Sequence, residues 1–223
     1  CPGRRTALVA KELRRYALGI VTLSETRLDG DGHLTKSCGK YAFFWKGRDE
    51  ELRGEPGVAF TVTTTLVDKL KKFPVGINER LLFMRIPLVK GNYVILGIIR
   101  NIPRADKVIV VDDFNARVGR DFNTWTVIGN HGLGKCNSNG MLLLQMCEEL
   151  RLCVTNTMFQ QKNKFKTTWM HPASKEWHIL DYILVRVRDR RDVQCVRVLR
   201  GTECWTDHRL VRAKVKLITK RKI

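Results

Sequence analysis

The fold class this sequence predicts is an α+β sandwich, and three observations predict it. Apolar runs of strand length follow one another in pairs, as antiparallel strands do. Two helical segments each lead into a short buried strand, so the chain mixes hairpins with helix-to-strand returns. The 223 residues hold no internal repeat, no low-complexity segment and no dividing linker. That length suits one large domain or two small ones.

The elements follow in order. Thr6 can cap a helix in which Ala7, Leu8, Val9, Leu13 and Ala17 recur at helical spacing, with Gly19 as the stop. Ile20–Leu23 reads as a buried strand closing at Ser24-Glu25. A helix running into a buried strand is the second half of a β-α-β unit, and nothing upstream supplies the first strand. Asp29-Gly30-Asp31-Gly32 reads as a turn. Tyr41–Lys46 and Gly57–Thr64 read as consecutive antiparallel strands, as do Arg80–Pro87 and Gly91–Arg100. Val108–Val111 is a continuous apolar run, hence a buried strand, closed by Asp112-Asp113-Phe114-Asn115. Asn137–Asn139 can cap a helix over Gly140–Leu150, and Leu152–Asn156 returns as a strand. Trp177–Val187, Val193–Leu199 and His208–Leu217 complete the strands. One connection is too short. Only Asn101–Lys107 joins the strand ending near Arg100 to the one starting near Val108, and a parallel crossover takes about a dozen residues. These two strands pair as a hairpin, or one of them is displaced.

Charge narrows the function. Lys and Arg number 41 against 22 Asp and Glu, a net +19. Such an excess repels itself unless an anion is near. Nucleic acid is the first partner class and an anionic membrane surface the second. Lys69-Leu70-Lys71-Lys72, Arg186–Arg191 and Lys220-Arg221-Lys222 are local peaks, and each alone also fits a solvated face. A 43% hydrophobic content excludes a disordered basic tail. No apolar run approaches the roughly 18 residues of a membrane span. Seven cysteines, an odd number with no C-x-x-C pair, argue against a zinc ribbon and a disulfide framework. A nuclear or cytoplasmic setting follows from that, with no signal peptide at the start.

Several carboxylates sit where apolar runs end: Glu25, Asp112 and Asp113, with Asp181 inside Ile179–Leu184 and Asp207 just before His208. A carboxylate at a buried strand end costs desolvation energy unless paired or bound to metal. Each also has a structural reading. Glu25 can pair with Arg27, Asp112 and Asp113 can be turn residues, and Asp181 can bond backbone or histidine. His131 and Cys136 lack zinc-ligand spacing. Taken together, oxygen ligands without a Cys/His cluster suit a hard divalent ion such as Mg²⁺. An acid to activate water, an Asn to orient it and a cationic His beside a carboxylate would serve phosphoryl chemistry.

Leu23-Ser24-Glu25-Thr26-Arg27, Asp113-Phe114-Asn115-Ala116, Leu180-Asp181-Tyr182 and Thr206-Asp207-His208 occur in this order. The series resembles the motifs of the endonuclease/exonuclease/phosphatase superfamily, and within it the endonuclease domain of RTE-type non-LTR retrotransposons. The likeness runs over nearly the whole chain. It implies a four-layered α/β/β/α sandwich of the DNase-I-like type and Mg²⁺- (or Mn²⁺-) dependent phosphodiester hydrolysis. Glu25 would be the main metal ligand with Asp207 nearby. Asp113 would position or deprotonate the attacking water, and Asn115 would hold water or phosphate. Asp181 would orient His208, which would contact the scissile phosphate.

Three departures from that pattern matter. The family's first strand, which carries an Asn, has no counterpart here. The family's strand ending in a Tyr-Ala-Pro-like motif and the following helix are also lacking, since Gly97-Ile98-Ile99-Arg100 runs directly to Ile102-Pro103. That deletion, near residues 100–102, is the short connection noted above. The family's Gly before Asp113 is Asp112, whose like charge would raise one of the two pKa values. The expectation is one truncated endonuclease-like domain over residues 1–223, of reduced activity. Its partner would be DNA, with RNA as a second possibility and no membrane, and it would act as a monomer. A nucleic-acid binder without turnover is the alternative. Phosphoinositide phosphatase or sphingomyelinase chemistry, and a decayed reading frame, are more distant ones.

Overall fold

The computed structural model describes residues 2–23, 26, 28, 30–36, 40–47, 57–70, 72–78, 81–88, 93–96, 102, 105–201 and 207–217. The chain divides into two compact units, Cys1–Asp106 with Ile218–Ile223, and Lys107–Leu217.

The first unit opens with helix α1, Pro2–Arg15. It starts earlier than Thr6 predicts. Thr6, Ala10 and Leu13, spaced four and three apart, form its buried face. The helix also stops before Gly19. Ala17 takes φ 49°, Ala17 N–H donates to Arg14 O, and Leu18 N–H donates to Leu13 O. This is a Schellman cap with alanine in the left-handed position and Leu18 packed back toward Leu13. Strands β1 (Ile20–Leu23), β2 (Asp31–Lys36), β3 (Tyr41–Lys46) and β4 (Val58–Thr63) form an antiparallel sheet in the order β1-β4-β3-β2. Tyr41 Oη donates to Leu18 O at 2.7 Å and ties the helix end to β3. Tyr41 through Phe44 are all buried, because β3 is covered on both faces. The turn predicted over Asp29–Gly32 is overturned at Asp31 and Gly32, which lie in a strand, while Asp29 lies outside the described residues. β2 begins at Asp31, and Gly32 lies beneath the Trp45 ring of its cross-strand partner.

A four-residue helix α2, Thr64–Val67, follows β4. Strands β5 (Val75–Asn78), β6 (Leu81–Pro87) and β7 (Tyr93–Leu96) then form an antiparallel meander. In β6, Leu82, Met84 and Ile86 are buried while Arg85 is exposed, the two-residue alternation of a strand with one covered face. β6 packs on β3 and β4. The short connection after Arg100 falls mostly outside the described residues.

The second unit begins with β8, Lys107–Asp113, longer than predicted because Asp112 and Asp113 stay in the strand. The small pair β9 (Val118–Gly119) and β10 (Leu133–Cys136) follows. Helix α3, Ser138–Glu149, is capped by Asn137, whose Oδ1 accepts the Gly140 N–H at 2.8 Å. β11 (Leu152–Val154), the hairpin β12 (Trp169–Met170) and β13 (Trp177–His178), β14 (Asp181–Arg186), β15 (Val193–Val198) and β16 (Val211–Val215) complete the unit. The single strand expected over Trp177–Val187 is thus two, β13 and β14. β14 lies between β8 and β11, antiparallel to both. The β15–β16 pair covers one face of that sheet through Cys153, Ile183, Val185, Val193 and Val196, with Ile109 and Val111 against them. α3 contacts β11 and buries Leu143, Leu144 and Cys147.

Gly140 sits in the first turn of α3, where a Cβ would lie 1.8 Å from the Arg117 carbonyl oxygen. Helix propensity alone favours alanine there by about 1 kcal/mol, but a backbone clash of that depth is the larger effect. Gly140→Ala is expected to lower unfolding stability by about 1–3 kcal/mol in a urea titration.

Candidate active site

Strand register brings the first two acids together. Asp181 pairs directly with Asp113 across β14 and β8. By strand alternation both share a face with Ile109, Val111, Ile183 and Val185, the face that β15 and β16 cover. Like charges directly opposite one another destabilise a sheet. The segment leading into β16 supplies the compensating cation. His208 Nδ1 lies 2.9 Å from Asp181 Oδ2, and Nε2 lies 3.8 Å from Asp113 Oδ2. Burial works against the imidazolium. The hydrogen bond to Asp181 and the charges of Asp181, Asp113 and Asp207 outweigh it, so the His208 pKa stands above its usual 6.5.

The surrounding backbone holds this triad in place. Thr168 is fully buried. Its Oγ1 accepts N–H groups from Leu180 at 3.0 Å and Asp181 at 3.3 Å, which explains the break between β13 and β14. Its carbonyl accepts the Arg209 N–H at 2.7 Å. One residue therefore anchors both the Asp181 and the His208 segments. Asn156 acts on the other side. Its amide donates to Asp181 O at 3.0 Å and accepts Ile183 N–H at 2.9 Å, continuing the β11 ladder with a side chain. Trp169 forms a β-bridge with His208, and its Nε1 donates to Asp207 Oδ2 at 2.9 Å.

Asn115 takes the left-handed conformation, φ 47°, which Asn tolerates better than most residues. Its backbone N–H donates to Asp113 Oδ1 at 3.0 Å, and its amide reaches Asp113 Oδ2 at 3.4 Å. Asp112 belongs to the opposite face of β8. Burial pushes its pKa up to about 6, the Asp113 N–H holds it down, and the charges of Asp113 and Asp181 add to the rise. The residue is exposed by surface area, so water offsets part of the burial penalty. Like-charge repulsion, expected from the sequence, is the smaller cause.

The structure therefore brings Asp113, Asn115, Asp181 and His208 together. Asp113, Asp181 and His208 offer ligand atoms within 4.8 Å of one another. Asp207 adjoins them through the Trp169 indole, and Glu25 lies outside the described residues. Two carboxylates suit a hard divalent ion, whereas a cationic His208 suits an anion. Burial drives the Cys147 and Cys153 thiols up to about 12 and about 11, which keeps them protonated and inert as nucleophiles. Thr168 and Asn156 were not singled out from sequence. A Thr or Asn that bonds backbone far away in the chain leaves no local pattern.

Two outcomes are expected. Thr168→Val keeps the side-chain shape but strands a buried N–H group at Leu180 and a part-buried one at Asp181, and chemical denaturation should register a loss of about 1–3 kcal/mol. His208, with a raised folded pKa, contributes stability that is full below pH 6.5 and fades as pH rises through that raised value. Melting temperatures across pH 5–9 should show this decline in the native chain and not in His208→Gln.

No protein-family model matches the chain. Craniofacial development protein 2 of Bos taurus is 26% identical over 235 residues, 94% of this chain and 38% of that protein. Its counterpart in Tragulus javanicus is 36% identical over 115 residues, 52% of this chain and 20% of that protein. The chain thus spans well under half the length of either relative. Among solved structures, an AP endonuclease from Leishmania major superposes with a TM-score of 0.65 at 12% identity, covering 98% of this chain and 84% of that one. The endonuclease domain of TRAS1, a telomere-specific non-LTR retrotransposon, gives 0.61 at 13%, covering 96% and 93%. A 3′ phosphatase from Neisseria bound to a product DNA hairpin gives 0.57 at 17%, covering 95% and 94%. The expected DNase-I-like fold class is therefore the observed one: the chain shares its mixed α/β fold with these endonuclease and phosphatase structures.

Proposed function

We propose that residues 1–223 act as one Mg²⁺-dependent DNA endonuclease-like phosphodiesterase domain of retrotransposon origin, with reduced activity. The observation that carries this reading is the Asp113–His208–Asp181 cluster, with its distances of 3.8 and 2.9 Å. The solved neighbours, which include AP endonucleases, support it.

Glu25 and Asp207, with carboxylate help from Asp113 or Asp181, would hold the Mg²⁺ (or Mn²⁺). When bound, the ion would stabilise charge developing on a phosphoryl oxygen. The chain's own groups do the rest. Asp181 holds His208 through Nδ1 and favours the cation. His208 then presents positive charge to the non-bridging oxygens of the scissile phosphate. Asp113 accepts a proton from the attacking water, and the Asn115 amide, beside the same carboxylate, orients that water. The net charge of +19 favours a DNA backbone as substrate. A monomer in the nucleus or cytoplasm fits this role. Reduced activity follows from the direct run of Arg100 into Ile102-Pro103, where the family carries a Tyr, and from the Asp112 carboxyl beside Asp113. Asp112 also favours a second reading, DNA binding without turnover.

Nicking of supercoiled plasmid with Mg²⁺ tests the proposal. His208→Ala and Glu25→Ala should each slow it by about 10²–10³. Equal cleavage by all three proteins would overturn the residue assignments. DNA binding that falls steeply with salt, without any metal-dependent nicking, would favour the second reading.

A further inference from the structure

A second cationic feature lies in the second unit, on residues the cleavage reading leaves unused. A one-turn 3₁₀ segment, Asn163–Phe165, brings Phe165 against β15. The Arg197 guanidinium carbon lies 3.8 Å from the Phe165 ring centroid, and Lys164 Nζ lies 5.3 Å from it. Phe165 is half-buried, while Lys162, Lys164 and Arg197 are exposed. Phe165, Lys162 and Arg197 join Phe159, Gln161 and Cys195 around a groove of about 380 Å³, and no carboxylate lines it. The Gln161 amide donates to Val196 O and fixes one wall.

The charges at this groove are not balanced by carboxylates. Arg85, Lys107 and Arg188 each have an aspartate partner. Among the described residues, Lys162, Lys164 and Arg197 have no carboxylate within ion-pair distance. Two cations at the Phe165 ring and a third on the groove wall, none paired with a carboxylate, suit a ligand that is anionic and carries a π-face. A guanidinium over a ring offers its delocalised cation as a further surface on which a base can stack. The groove falls within the roughly 300–1,000 Å³ range of small-ligand sites, enough for one nucleotide.

We propose that this groove binds a nucleotide of an unpaired DNA strand. The base stacks on the Arg197–Phe165 pair, and Lys162 and Lys164 take the adjoining phosphates. Gln161 narrows the slot, and the absence of an acid from its lining removes repulsion of the backbone. The same stretch of chain continues through Thr167 to Thr168, the residue that anchors Asp181 and His208. Binding here needs no turnover, so the proposal stands or falls separately from cleavage.

The test is fluorescence anisotropy of the full chain with a labelled single-stranded DNA of about 12 nucleotides and with the matching duplex. Arg197→Gln and Lys162→Gln should each weaken single-strand binding by about 10-fold and leave duplex binding within about two-fold. Each should also make the salt dependence of log K shallower by about 0.7. Deoxynucleoside monophosphate should compete at concentrations where inorganic phosphate does not. Lys162→Gln, whose exposed side chain supports no core packing, keeps the test valid if Arg197→Gln lowers the melting temperature. Unchanged single-strand affinity in both variants would overturn the proposal. So would equal losses for single strand and duplex, competition by phosphate as strong as by the nucleotide, or tighter binding of an RNA of the same sequence.

Discussion

Two carboxylates facing each other across β8 and β14 are the constraint on which the rest of the site depends. Asp113 and Asp181 are direct cross-strand partners, and such a pair repels unless a cation lies between its members. His208 supplies that cation when protonated: it is placed by the segment before β16, and the acids beside it outweigh burial and raise its pKa. The three groups define one another. The acids raise the imidazole pKa, and the imidazolium makes the facing acids tolerable.

Register converts this local balance into architecture. A slip of one residue between β8 and β14 would send Asp113 to the other face and bring Asp112 in. The apolar side chains behind the acids prevent that slip. Ile109 and Val111 on β8, and Ile183 and Val185 on β14, all pack toward β15 and β16. Any shift would expose them. Thr168 and Asn156 then fix the end of β14 by occupying backbone groups that the ladder leaves unpaired. Lys107, at the opposite end of β8 from Asp113, pairs with Asp189 and Asp192. The positive excess is therefore partly committed to structure, and what remains unpaired near Phe165 is available to a ligand.

Legibility followed local periodicity. β1, β3, β4, β6 and β15 carry runs of apolar and β-branched residues, so their bounds were readable to within a residue. α3 announced itself through Asn137 and its cap. β2 was hidden, because Asp31-Gly32-His33-Leu34 has the composition of a turn. It becomes a strand only because β3 offers a ladder and Trp45 covers the space beside Gly32. The end of α1 misled in the opposite sense. Gly19 advertised a stop, yet Ala17 takes the left-handed position because Leu18 gains burial by folding back toward Leu13. The division of Trp177–Val187 into β13 and β14 was unreadable for a similar reason, since Thr168 lies nine or more positions upstream of the strands it separates.

By itself the sequence determined the fold class, the antiparallel hairpins, the basic balance and the acids and histidine worth watching. Those properties are carried by residue type and short-range spacing, which survive without knowledge of contacts. Tertiary structure decided which of the acids meet. Asp112 and Asp113 are adjacent and chemically identical in the sequence. Only the pairing of β8 with β14, and the cover of one face by β15 and β16, turns Asp113 toward His208 and Asp112 away. The physical reason is the two-residue period of a strand, which assigns neighbours to opposite faces but leaves to long-range packing which face becomes the site.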